Sequence, residues 1–132
     1  MKKIDVIPLV QVNGVKFGMK RSEVRDVLGE ATEFFKTSSS PNSTDDFGYC
    51  HVFYDNSDRC EAIEIFDDTE VYIEGKLIFP TNKETALNLF RSIFDDFILD
   101  DDGLISYKYS IGIYAPNESM ESILIGRENY YE

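Results

Sequence analysis

The chain has 132 residues. That is enough for one domain, spanning 1–132, that buries about two thirds of the surface exposed by its unfolded chain. Its 25 Asp and Glu outweigh 13 Lys and Arg to give a net charge of −12, which argues against nucleic acid and against anionic membrane surfaces, since both need clustered cations. The same charge suits a basic protein partner, whose approach it would steer.

The Met-Lys-Lys start is not followed by an apolar run of signal-peptide length, because Asp5 and Pro8 interrupt it. No stretch approaches the roughly 20 apolar residues of a membrane helix, so a cytoplasmic location is expected. Ile4 to Phe17 is rich in Val and Ile, and Asn13-Gly14 predicts a hairpin turn. Pro8 places any strand there at an edge or after it. Lys20 to Leu28 predicts a short helix with Val24, Val27 and Leu28 on one face, starting near Lys20 or Ser22 and stopped by Gly29. Ala31 to Lys36 reads as a strand or a further helical turn. Thr37 to Asp46 has no apolar residue to bury and predicts a mobile surface loop.

Tyr49–Tyr54 and Glu61–Phe66 predict two strands around an Asp55–Asp58 turn, with Ile63 and Ile65 facing inward. Val71 to Phe79 predicts a hairpin about Glu74-Gly75. A second helix follows Pro80, capped by Thr81 with Glu84 completing a capping box. Ala86, Leu89, Phe90 and Ile93 form its buried stripe, extended by Phe94 and Phe97. Asp100-Asp101-Asp102-Gly103 ends that segment. Leu104–Tyr114 and Ser122–Gly126 are the last strands, and Tyr130 and Tyr131 either pack back or end exposed.

The chain matches itself. Over Tyr54–Phe66 and Tyr114–Gly126, the pairs Tyr54/Tyr114, Glu61/Glu121, Ile63/Ile123 and Ile65/Ile125 coincide at a spacing of 60. Val10–Phe17 lines up with Val71–Ile78 at a spacing of 61, and a helical segment follows each. Two tandem strand-helix-strand-strand repeats, at about 9–67 and 70–128, are therefore expected. The fold class that follows is α+β, an antiparallel sheet with helices packed on one face.

Chemistry is harder to find. Numbering Gly103 as the sixth position of a calcium loop puts Ile98 first and Tyr109 twelfth, where carboxylates are required, so no calcium site is expected. Cys50 and Cys60 make no disulfide framework and read as small buried hydrophobes. His51 is the single histidine and lies in a strand beside Cys50, so their side chains point to opposite faces; a Cys-His pair would need partners from elsewhere, and the soft ligands are too few for a structural zinc site. No phosphate loop or nucleophile elbow is present. The Asn42 and Asn117 sequons read as polar turns. No cofactor and no catalysis are expected. The acidic run and the strand tyrosines instead suggest a protein-binding face of Asp95, Asp96, Asp100, Asp101, Asp102, Tyr107 and Tyr109. An acidic cluster after a helix opposes its dipole, which hints that it is kept for a contact. A small-ligand or sensing domain, with a pocket between the repeats, is the alternative.

Val15 to Gly29, through Phe17, Gly18, Met19, Glu23, Val24, Leu28 and Gly29, resembles a signature of two groups. These are the outer-membrane assembly lipoprotein BamE family and the beta-lactamase inhibitory protein superfamily. Ala31-Thr32 departs from the usual proline region, and the second repeat lacks the Gly-Met and Leu-Gly marks. The resemblance implies a turn-helix unit on an antiparallel sheet, repeated in tandem in the inhibitor. The chain is also similar to small bacterial proteins with a Glu-x-Ile-Glu strand (Glu61–Glu64), a late Asp-Asp-Gly turn and a closing Tyr-Tyr. Some of these serve as immunity proteins beside secreted toxins, which implies an inhibitor of a basic toxin or enzyme.

Overall fold

A computed structural model describes residues 2–40, 42–66, 69–117 and 119–131. The first half contains β1 (Lys2–Ile7), β2 (Gln11–Val12), β3 (Val15–Lys16), α1 (Arg21–Leu28), β4 (Thr32–Phe34), β5 (Thr44–Asp46), β6 (Cys50–Tyr54) and β7 (Cys60–Phe66). The second contains β8 (Thr69–Ile73), β9 (Lys76–Phe79), α2 (Lys83–Ile93), β10 (Ile98–Asp100), β11 (Gly103–Ser106), β12 (Ile111–Tyr114) and β13 (Ser122–Gly126). Eight strands form an antiparallel sheet in the order β10-β11-β12-β13-β7-β6-β5-β4. Five form a second sheet, β3-β2-β1-β8-β9, in which β1 and β8 run parallel.

The α+β expectation, with helices covering one sheet face, is therefore overturned: the protein is mostly β, built from two sheets. The reason is area. The helices bury Val24 on one side and Ala86 and Phe90 on the other, too little to cover eight strands. The five-stranded sheet supplies the remaining cover. Its Ile4, Val6, Val15, Val71, Ile73 and Phe79 join Val52, Ile63, Ile65, Ile113 and Ile123 of the large sheet in one contiguous core. Fully burying each such Ile or Val contributes about 1.5–3 kcal/mol.

The registers of the large sheet obey a rule. β7 pairs with β13 through Ile63↔Ile125 and Ile65↔Ile123. Shifting each residue to its counterpart 60 positions away exchanges these two pairs, so the centre lies at Glu64↔Leu124. The hairpins of the small sheet correspond too. Gln11↔Lys16 and Val12↔Val15 become Tyr72↔Leu77 and Ile73↔Lys76 at a shift of 61. Both turns have positive φ at both central residues, Asn13 and Gly14 in one, Glu74 and Gly75 in the other. That is what a type I′ turn requires, and its twist matches the flanking strands. The two helix caps also correspond, since Lys20 bridges to Arg59 and Asn82 to Ser119.

Several local expectations need correction. β1 ends before Pro8 and lies in the centre of its sheet, with β2 and β8 on either side. Asn82, not Thr81, caps α2, its side chain accepting from the Thr85 N–H at 2.8 Å. Glu23 of α1 reaches back to the Lys20 N–H at 3.0 Å, half of a capping box; a lysine has no acceptor to complete it. Leu104–Tyr114 is two strands with a turn at 107–110, so Tyr107 and Tyr109 are turn residues. The predicted loop at 37–46 ends in β5, whose Thr44 and Asp45 are buried. Residue 118, within the second sequon, lies outside the described residues.

Gly14→Ala and Gly75→Ala should each lose about 1 kcal/mol in urea unfolding, because a left-handed conformation costs an L-residue roughly that much. A loss at only one of them would contradict the equivalence of the two turns.

Candidate functional site

Directly paired residues share a sheet face. One row crosses the whole outer face of the large sheet: Thr32, Asp46, His51, Glu64, Leu124, Gly112, Ile105 and Ile98. Its first half is polar and its second half apolar. A groove of about 260 Å³ follows the apolar half. Leu124, Gly112 and Ile105 form its floor, Tyr114 and Tyr131 its walls, and Glu64, Asp100 and Asp102 its rim. This is smaller than the roughly 300–1,000 Å³ of drug-sized ligand pockets.

The closing tyrosines build one wall. Tyr131 lies over Gly112, where a Cβ would collide with its hydroxyl, and Tyr130 lies over Gly126 in the same way. Tyr107 stands edge-on to Tyr131 with ring centroids 5.9 Å apart. Burial raises the Tyr131 hydroxyl above its ordinary range, so it stays protonated. Ser122 donates to Glu64 Oε2 at 3.0 Å and fixes that carboxylate at the rim.

The seven residues expected at a binding face divide between two ends of β11. Asp100 and Asp102 line the groove at the first end, while Tyr107, in the turn at the other end, braces the Tyr131 wall. Asp101 is exposed in the same turn, its carbonyl accepting from Lys83 Nζ at 3.3 Å. Asp95 and Asp96 serve the other end. Asp96 accepts from Ser106 Oγ at 2.8 Å and from the Lys108 N–H at 3.2 Å, which holds the 107–110 turn. Asp95 pairs with Lys108 at 2.7 Å, and that hydrogen bond holds its carboxyl below the ordinary carboxylate range. Tyr109 packs on Phe94 at 4.8 Å. Glu64, Leu124, Tyr114 and Tyr131 were missed. Only the paired glycine-tyrosine pattern, Gly112 with Tyr131 and Gly126 with Tyr130, could have signalled the wall.

The first half carries a different feature. Asp45 is fully buried and accepts four hydrogen bonds. Arg21 Nη1 donates to Oδ1 at 2.9 Å, and Arg25 donates to both oxygens at 2.7 and 3.0 Å. Tyr54 Oη donates to Oδ2 at 2.8 Å. The Arg21 guanidinium also lies 4.1 Å from the Tyr54 ring centroid and reaches Asp58 at 2.8 Å, while Arg25 reaches Glu33 at 2.6 Å. Burial alone would raise the Asp45 carboxyl, but the bonds from Arg25 and Tyr54 and the charge of both arginines bring it below its ordinary value.

Following the registers outward shows what stands there in the second half. Ile63, Val52, Asp45 and Glu33 pair in succession; their counterparts Ile123, Ile113, Leu104 and Leu99 do the same. The buried ion cluster is thus replaced by leucines. Tyr54 and Tyr114, aligned in sequence, take different places, because the register slips at Phe53/Tyr54. Tyr54 is buried on Asp45, whereas Tyr114 is exposed at the groove.

The thiols of Cys50 and Cys60 are free, and burial pushes each up to about 12. They stand at opposite ends of their strands, paired with Ile65 and Tyr54 respectively. His51 sits edge-on between Phe34 and Phe66, 4.9 and 4.7 Å away. No described helix is long and apolar enough to cross a membrane. The fold and site define a two-sheet, mostly β protein with an acid-rimmed outer groove. No protein-family model, curated protein or solved structure matches the chain.

Asp45→Asn should cost about 3–5 kcal/mol, as loss of one member of a buried ion cluster does. Combining Arg21→Met, Arg25→Leu, Asp45→Leu and Tyr54→Phe should recover most of it, because the second half is already apolar there. Because the folded pKa of Asp45 is lowered, its contribution is present above the ordinary value of 3.8 and lost as pH falls through the folded value. Urea unfolding should therefore show a larger loss between pH 6 and pH 3 in the native chain than in Asp45→Asn.

Proposed function

We propose that the chain is a non-catalytic binding module for a basic protein, acting as an inhibitor or immunity protein does. The observation that carries this is the apolar floor of Leu124, Gly112 and Ile105 beneath the carboxylates of Glu64, Asp100 and Asp102. A Lys or Arg side chain has the matching form, an aliphatic stem with a charged head. The −12 charge favours encounter with such a partner. Ser122 donates straight to Glu64 with no imidazole between them, which is not the order that activates a serine nucleophile. Free, buried thiols suit a reducing cytoplasm.

Capture of a basic protein from native extract, repeated with Asp100→Asn/Asp102→Asn, tests the proposal. The variant should weaken capture about three- to tenfold, chiefly through slower association, and added salt should do the same. Equal capture by both proteins, with no salt dependence, would contradict it.

A further inference from the structure

The eight-stranded sheet has two open edges, and they are unlike. At the β4 edge, Glu33 is tied to Arg25 and its neighbour Asp45 is locked in the buried cluster. Charged groups of this kind guard an edge against pairing. At the β10 edge Leu99 stands where Glu33 does and Ile98 where Thr32 does, and they are 53% and 54% exposed. β10 pairs only with β11, and among the described residues no ion pair covers Ile98 or Leu99. The charge gathers at the ends of the strand, with Asp95 and Asp96 before it, Asp100 as its last residue and Asp101 and Asp102 after it. Asp95 is matched by Lys108 and Asp96 is taken up by the turn, so the unmatched acid is at Asp100–Asp102. The edge is also continuous with the groove, because Ile98 pairs with Ile105 and Asp100 lines the rim.

We infer that β10 receives an extended cationic segment of the partner as a ninth strand. This rests on the proposed function and specifies how the partner is held. A second copy of this chain is the poorer occupant. Antiparallel pairing of β10 with itself would bring the Asp100–Asp102 turn of one copy beside Asp95, Asp96 and Lys108 of the other, where two carboxylates outweigh one ammonium and like charge opposes the contact. A basic segment meets no such barrier. Main-chain hydrogen bonds along the edge supply affinity, and alternate side chains supply selectivity.

Every neighbouring pair in this sheet is antiparallel. An incoming strand of the same sense runs from the acidic turn toward Ile98. It therefore presents cations first, opposite Asp102 to Asp100, and then two apolar residues opposite Leu99 and Ile98. Residues opposite Asp100 and Ile98 lie on the outer face, where the groove begins. The recognised chemistry is a short basic run followed by β-branched residues.

The test uses the full chain and capped Lys-Arg-Lys-Val-Ile-Val peptide, with a second peptide carrying N-methyl groups on alternate residues. The first should bind and slow amide exchange in β10. N-methylation should weaken binding about tenfold or more, the effect of losing one or two hydrogen bonds and blocking strand approach. Ile98→Lys, at an exposed position that leaves the core untouched, should weaken it to a similar degree. Equal affinity for both peptides would overturn strand addition while leaving groove binding in place. No binding of the first peptide, with capture of a basic protein retained, would also overturn it. Binding that is indifferent to Asp100→Asn/Asp102→Asn would instead sink the acidic-groove reading on which the inference rests.

Discussion

Ile63, Ile65, Ile123 and Ile125 meet where β7 pairs with β13, and the rest of the structure is arranged outward from that junction. A sheet register cannot slip by one residue without turning every inward side chain out to solvent. The four isoleucines fix this register because all are fully buried on one face. Each half then adds three strands to its side, and the small sheet closes over the isoleucines from the inner face. Position on the outer face follows automatically: Glu64 and Leu124 at the centre, the groove on one side, His51 and its aromatic neighbours on the other.

The two halves use equivalent positions for opposite ends. In the first, Arg21, Arg25, Asp45, Glu33 and Tyr54 satisfy one another beneath α1 and along the β4 edge. A buried ion cluster is costly to desolvate, so its stabilising value is small when complete and its loss is severe when broken. Its effect here is to fix the edge strand and make it polar. In the second half, leucines and isoleucines occupy those places, and the polar groups have moved to the turn at Asp100–Asp102. An apolar edge flanked by acid suits contact with a cationic chain, whereas a charged edge resists one.

Much of the frame was legible in the sequence. Asn13-Gly14 and Glu74-Gly75 marked hairpins because each sets a glycine, which takes positive φ freely, between apolar runs. Ile63 and Ile65 could be assigned inward from the period of two. The second sheet was not legible, because β2 and β3 are two residues each and carry no period. β5 was hidden for a different reason. Asp45 is an unlikely core residue by composition, and its burial depends on Arg21, Arg25 and Tyr54, which come from distant parts of the chain. Tyr107 and Tyr109 look like strand residues until Asp96 captures Ser106 and the Lys108 amide and turns the chain. For the site, the acidic run was visible in sequence. The floor and walls were not, because Glu64, Leu124 and Tyr131 meet only through strand pairing and the return of the C-terminal segment.

The central claim is that the two edges of the large sheet differ in function. Thr32 and Ile98 end the same outer-face row at opposite edges, and both are exposed. A photo-crosslinking residue placed at each, in the presence of the cationic peptide, reports directly on which edge is used. An adduct at position 98 and none at position 32 is predicted. Labelling at position 32 with none at position 98, or equal labelling at both, would contradict the account.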